Sequence, residues 1–372
     1  MHETRRPGRP RFVALLALVL ALAVPAASAA ETTWEIRGRG WGHGIGMSQW
    51  GAFGYAKKGS SWKKILRHYY RHTRIGPSGG GEIRVLLESG GDSLEFSEAT
   101  NACGTALDPG KTYSALRDGD SVRLRGPEGQ DLGGCGESLQ ASGGEAVRLV
   151  GEGVYRGSLV FVPRDGGLYA INPVPLEAYL WGVVPNEMPA DWPAQALRAQ
   201  AVAARSYALA TADGGLFDAY DDTRSQVYGG LSSETQATNQ AVEATSGKVV
   251  KHNGKVATTF FFSTSGGRTE SIENSFVGSD PQPYLKSVKD PFDTASPYHR
   301  WKETFSQSEI EARLGDLVQG SLQAIQVTRR GRSPRIVSAK VVGSGGTTEA
   351  SGPTLQARLG LRSTWAFFDK RG

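Results

Sequence analysis

The segment from Val183 to Leu209, VVPNEMPADWPAQALRAQAVAARSYAL, constrains the fold more than any other. Its second half is dominated by alanine, leucine, glutamine and arginine, all good helix formers. Pro193 suits a first helical turn, so the pattern predicts a helix over 193–211. Alanine brings little bulk of its own, so such a helix must pack closely against something. Leu197, Ala201, Ala204 and Ala208 recur at helical spacing and mark one narrow face. Arg198 and Arg205 lie on another. Just upstream, Asn186-Glu187-Met188-Pro189 reads as a tight turn at the mouth of this helix. A carboxylate on a rigid turn is a candidate general acid or base. Acidic residues also favour helix N-termini. On residue chemistry alone Glu187 is therefore either a catalyst or a cap for the helix that follows.

The first 29 residues read as a secretory signal. Arg5, Arg6, Arg9 and Arg11 form a basic start, and Phe12 to Val24 is an apolar run too short to span a bilayer. Ala27-Ser28-Ala29 is a small-residue cleavage site. The alternative is an uncleaved anchor. The expected location is secreted, at the cell wall. The whole chain is formally +5. Residues 1–29 carry four arginines and one glutamate, so the mature chain is 5 − 3 = +2. That balance excludes the footprint of a nucleic-acid binder and suits a mildly anionic polymer. Cys103 and Cys135 are the only cysteines. In an exported protein such a pair predicts a disulfide.

The glycines at 38, 40, 42, 44 and 46 occupy every second position. If this stretch is extended, one face is bare backbone and the other carries Arg39, Trp41, His43, Ile45 and Met47. Such a face admits close approach by a helix or a sugar ring. Helices are predicted at 48–59, 61–72, 234–245 and 307–314. Residues 82–168 read as short strands separated by turns, a small β-rich region stapled by the two cysteines. KVVKHNGKV predicts a hairpin turning at Asn253-Gly254. Gly54 to Ser60 has the spacing of a phosphate loop, but Ser60 stands where lysine is required. His68 and His72 are four apart with no third ligand in sight. No metal site and no cofactor are expected.

Six blocks together resemble the SpoIID/LytB family of bacterial cell-wall proteins. They are the Glu-Met-Pro turn with its Ala-rich helix, GRGWGHGIGMSQWGAFGYAKKGSSWKKILRHYY (Gly38 to Tyr70), YRGSL (Tyr155 to Leu159), INPVPLEAYLWGVVP (Ile171 to Pro185), SQVYGG (Ser225 to Gly230) and FSTSGGRTE (Phe262 to Glu270). In most relatives the Gly-rich block follows the catalytic region. Here it comes first, and the chain ends on LQARLGLRSTWAFFDKRG, which resembles the segment that leads into that block. The order looks like a circular permutation, which is tolerated when the old termini are close. The implied fold is α+β: a core with a mixed or antiparallel sheet and Ala-rich helices over 169–372, completed by the block at 34–75.

The resemblance implies a lytic transglycosylase acting on peptidoglycan glycan strands. Glu187, as its single acid/base, would cut between N-acetylmuramic acid and N-acetylglucosamine and leave 1,6-anhydro ends. Ordinary glycosidases use two carboxylates. Asp191 is the rival acid, and is expected to cap the helix instead. Arg205 has two readings: it binds a lactyl carboxylate, or it pins a core carboxylate such as Glu177. Gln226, Tyr228, Ser263, Ser265, His43 and Gln49 are the remaining candidates for sugar binding. If the block is permuted, Trp34–Arg39 should lie beside the strand near 363–368, and Gly38–Gln49 should return to Glu187. A non-catalytic reading stands beside this one: a wall-glycan binder or a LytB-like amidase modifier. A cell-wall amidase or a membrane-bound wall complex is the partner class implied.

Overall fold

The computed structural model describes residue 2 and residues 32–372. The expected signal segment, His2 apart, lies outside the described residues. Helices and strands are both abundant and largely segregated, an α+β architecture. No described helix is long and apolar enough to cross a membrane.

The first strand, β1 (Thr33–Gly38), lies between two antiparallel neighbours, Trp301–Ser306 and Ala366–Arg371. In this register Gly38 faces both Trp301 and Ala366. Trp34 and Ile36 point inward onto helices α7 (Gln307–Leu314) and α8 (Gly352–Leu359) and onto the strand Ile336–Gly343. α7 coincides with its predicted bounds. Ser306 caps it by accepting from the Glu309 N–H. The expected adjacency of Trp34–Arg39 and the strand near 363–368 is therefore present.

After β1 the alternating glycines do not form a strand. Gly40, Gly42, Gly44 and Gly46 all take positive φ, which glycine adopts without steric penalty. The stretch is a folded-back loop, and it hugs residues 260–265 rather than the Ala-rich helix. A Cβ on Gly46 would sit 2.0 Å from the Phe260 carbonyl oxygen, and one on Gly40 2.4 Å from that of Thr264. Trp41 exchanges two backbone hydrogen bonds with Thr264. Helices α1 (Gln49–Lys57) and α2 (Trp62–Tyr69) follow, capped by Ser48 and Ser61.

The β-rich region holds a six-stranded and a seven-stranded sheet that share one core. Phe96, Tyr113 and Leu124 from one sheet meet Val85, Phe161 and Ala170 from the other. Cys103 and Cys135 are disulfide-bonded. The bond joins the hairpin around Cys103 in the larger sheet to the end of Asp131–Gly134 in the smaller. The strand Gly167–Pro175 runs through the expected boundary at residue 168 and pairs with both Leu159–Arg164 and Glu82–Ser89. The β-rich region and the helical core are thus covalently and structurally continuous.

Two helices build the centre. α3 (Leu176–Glu187) carries Pro185 in its last turn. α4 (Ala194–Thr211) packs against α1, α2, α3, α5 (Gln236–Glu243) and the strand Lys248–His252. It is buried on nearly every side, not on one narrow face. The small alanine side chains make this contact with so many neighbours sterically feasible. The predicted hairpin is present at Lys248–His252 and Lys255–Val256, with Asn253 and Gly254 both at positive φ.

Candidate functional site

Glu187 ends helix α3, and Met188 follows in extended conformation. The acid is therefore at the C-terminus of one helix, not at the N-terminus of the next. The cap reading is removed. α4 starts at Ala194 with Pro193 in the cap position and no side-chain cap, so the cap expected of Asp191 is not made, and Asp191 is exposed. The position also matters electrostatically, because the negative end of the helix dipole disfavours a carboxylate.

The segment 225–230 is clamped to the last turn of α3. The Gly182 carbonyl accepts from the Gly229 N–H, the Asn186 amide and the Ser233 hydroxyl. Tyr228 packs between Tyr155 and Tyr179 and donates to Asn172 Oδ1 at 2.9 Å. Gln226 is buried and accepts from the Tyr179 hydroxyl. Between these two anchors, the Val227 N–H donates to Glu187 Oε1 at 3.3 Å. Gln226 and Tyr228 thus position the segment from inside the core, and their side chains do not face the cleft.

From the opposite side, Gln49 donates through Nε2 to the Glu187 carbonyl at 2.8 Å. The Gly-rich loop thereby reaches the acid across 138 positions of sequence. Within that loop, His43 lines the same cavity as Glu187, a cleft of about 450 Å³. Its other walls include Tyr207, Arg224, Phe260, Phe261 and Phe276. Burial pushes Glu187 up from 4.5 to about 7, against the Val227 N–H and the Gln49 side chain, which both favour the charged form. Desolvation is the dominant cause.

His43 is not a second proton carrier. Its Nδ1 accepts from the Ile45 N–H, and its Nε2 faces the Phe261 carbonyl at 3.0 Å. Both ring nitrogens are engaged, which fixes the Nε2–H tautomer. Burial among Phe260, Phe262 and Phe276, with Arg335 adding to it, pushes the ring down to about 4. It is a neutral, positioned wall residue at neutral pH.

The remaining candidates lie elsewhere. Arg205 is fully buried and makes a two-pronged contact with Glu177, at 2.9 and 2.5 Å, and also donates to the Val242 and Lys248 carbonyls. Of its two readings the core pin is the one realised, since a guanidinium with no exposure cannot reach a substrate. Ser265 is buried and donates to Asp293. Ser263 is half-buried with its carbonyl accepting from the Trp50 N–H, and is absent from the cleft walls. Sequence reasoning missed Tyr207, Arg224 and the three phenylalanines. Tyr207 lies two positions beyond Arg205 on α4, and burial followed by the Glu187 charge raises its hydroxyl. Among the described residues no three His, Cys, Asp or Glu side chains converge on a metal-sized site.

A single desolvated carboxylate, held by one backbone N–H, thus lies in an aromatic-walled cleft. Comparison with known proteins places it in a lineage. The profile of the Stage II sporulation protein (SpoIID) family matches residues 164–252, which include Glu187. Stage II sporulation protein D of Bacillus subtilis is 36% identical over 214 residues, 52% of this chain and 60% of that protein. An uncharacterized protein of Brachyspira hyodysenteriae is 35% identical over 214 residues, 55% of this chain and 56% of that one. The amidase enhancer of Bacillus subtilis is 44% identical over 142 residues, 38% of this chain but only 19% of its own length. The chain thus spans a little over half the length of the first two relatives. Its similarity to the SpoIID family model over residues 164–252, and to these relatives over a longer stretch, supports a function connected with the cell wall.

Proposed function

We propose that this protein is an exported lytic transglycosylase that cleaves peptidoglycan glycan strands with Glu187 as its only acid/base. The observation that carries this reading is the lone cleft carboxylate pushed up to about 7. At neutral pH such a group is partly protonated, as a general acid requires. In the first step Glu187 gives its proton to the oxygen bridging muramic acid C1 and glucosamine C4. That bond breaks, and the glucosamine leaves as an alcohol. In the second step the same carboxylate takes the proton of the muramic acid 6-hydroxyl as O6 bonds to C1. The 1,6-anhydro ring closes, no water is consumed, and Glu187 returns to its acid form. A two-carboxylate hydrolase would need a partner acid across the cleft, and the cleft walls supply none.

The Gly-rich block acts here as a displaced part of the family fold, circularly permuted to the front of the chain. The pairing of β1 with Ala366–Arg371 supports this. The test of the activity is mass spectrometry of peptide-free glycan strands after incubation with purified protein. Anhydro-muramoyl products that disappear with Glu187→Gln are expected. Intact strands with active wild-type folding would refute the reading. A relative is named as an amidase enhancer, so the second reading is stimulation of a wall amidase. It predicts faster amidase turnover with Glu187→Gln as well as with the wild type.

A further inference from the structure

Arg205, locked in the core, cannot meet a substrate carboxylate, but the cleft has a guanidinium of its own. Arg224 lines the cavity that holds Glu187. Among the described residues of the cleft walls it is the only lysine or arginine, and the one histidine there, His43, is neutral at neutral pH. Any anionic group of a bound ligand that looks for a cation in this cleft therefore finds Arg224.

The loop that carries Arg224 presents it in a fixed pose. Asp222 accepts through Oδ1 from the Arg224 backbone N–H at 2.9 Å, and its carbonyl accepts from the Ser225 N–H. The Ser225 hydroxyl accepts from the Tyr220 N–H, and the Asp221 carbonyl accepts from the Tyr228 N–H. Three residues beyond Arg224, the Val227 N–H holds Glu187 Oε1. One short segment thus ties the guanidinium to the acid. The guanidinium rests 3.8 Å from the centre of the Tyr220 ring, a cation–π contact. Tyr220 is itself fixed in the short strand Ala219–Tyr220, parallel to Glu82–Ser89. Asp222 takes the Nε–H, at 2.9 and 3.0 Å. The two terminal nitrogens make no hydrogen bond to a protein atom among the described residues. The Arg224 and Asp222 side chains are 60% and 49% exposed, and a pair so exposed adds little to stability. Its effect is to aim the fork and leave the far edge open, the edge that matches a carboxylate with two parallel N–H bonds.

We propose that Arg224 is a specificity-determining residue, and that it reads the free lactyl carboxylate of muramic acid. The identity of the polymer rests on the proposed glycan-cleaving function. In that polymer the sugar rings are uncharged, so the lactyl group is the one place where a stripped strand carries negative charge. Where a peptide is attached, the same group is an amide, with no charge and no second oxygen for the fork. Arg224 therefore gives the cleft a preference between two forms of one glycan that differ at a single functional group.

The experiment measures binding in a Glu187→Gln background, so that cleavage does not change the ligand. Two probes are used: glycan strands stripped of peptide by an amidase, and the same strands with each lactyl carboxylate coupled to methylamine. The free strands should bind roughly tenfold more tightly than the capped ones, the scale of a charge-assisted hydrogen bond. With Arg224→Gln added, the two probes should bind alike. With Arg224→Lys, which keeps the charge and loses the fork, part of the preference should return. Arg224 is exposed on a loop, and thermal midpoints verify that each variant is folded. Equal binding of the two probes without the Arg224 change overturns the proposal. So does a preference that survives Arg224→Gln, because the carboxylate is then read elsewhere. If the preference behaves as expected while the wild type forms no anhydro products, the role of Arg224 stands and the proposed catalysis falls. If anhydro products form equally fast from free and capped strands, the catalysis stands and the role of Arg224 falls.

Discussion

Replacing Glu187 by glutamine should abolish activity and yet stabilise the protein, at one end of the pH scale only. Glu187 is shifted from 4.5 to about 7 by burial, so the folded chain holds its proton more tightly than the unfolded chain does. Below pH 4.5 the carboxyl is protonated in both states and burial costs little. Between pH 4.5 and about 7 the unfolded chain loses the proton first, and stability drains away. Above pH 7 the folded state carries the full penalty of a desolvated charge. The difference between 4.5 and about 7 corresponds to about 3 kcal/mol. Glutamine removes that penalty while its carbonyl still accepts from the Val227 N–H. In a chain of this size, 1 kcal/mol moves the thermal midpoint by about 1–2 °C, so Glu187→Gln should melt about 4 °C higher at pH 8. At pH 4 it should melt with the wild type. The assay is differential scanning calorimetry at both pH values. A gain of equal size at pH 4 and pH 8, or a loss at pH 8, would show that the acid is not held in a desolvated site.

Catalysis should depend on one ionisation, with activity falling as pH rises through about 7 and no histidine limb, because His43 is neutral down to about 4; a second inflection near pH 6.5 that vanishes in His43→Asn would contradict this. Arg205→Met should cost about 1–3 kcal/mol by leaving the part-exposed Glu177 and the Val242 and Lys248 carbonyls without their donor, read as a lower denaturation midpoint, while KM for glycan stays unchanged in protein that remains folded. Gly46→Ala should unfold the loop locally, since the added Cβ would sit 2.0 Å from the Phe260 oxygen; an unchanged midpoint and full activity would refute the tight approach. Reducing Cys103–Cys135, which closes 32 positions of sequence, should remove about 3–4 kcal/mol, measured by denaturation with and without reductant.

Local signals predicted local structure well. Capping serines and helix formers marked α1, α2 and α7, and Asn253-Gly254 marked its hairpin. The acid itself was legible because its turn sits in a recognisable block. Its setting was not. α3 was hidden by Pro185, which reads as a helix breaker but lies within the helix, in its last turn. The alternating glycines suggested a strand because period two is the strand period. Period two also fits a loop in which every second residue takes positive φ, and only φ values distinguish the two. Gln226 and Tyr228 are read as sugar-binding because they lie in a shared block, and Arg205 keeps two readings for the same reason, but a block can be shared for packing as well as for chemistry. Phe260, Phe261 and Phe276 carry no motif at all, and Tyr207 lies on the Ala-rich helix with nothing in the spacing to set it apart. They reach the cleft through tertiary placement, which no window of sequence contains.

The central position of β1 has a consequence for the order of assembly. Both of its partners come from the far end of the chain, and Thr33 pairs with Arg371 across 338 positions, 371 − 33. Closing so long a span is slow more than it is costly, since each doubling of loop length adds only about 0.6 kcal/mol while rates fall with sequence separation. α3, α4 and the two β-sheets can form from contacts made much earlier. The loop that brings Gln49 and His43 to Glu187 hangs directly from β1. On this ordering the acid is expected to be in place before β1 is locked between its two neighbours, so the opposite wall of the cleft is the later of the two to be fixed.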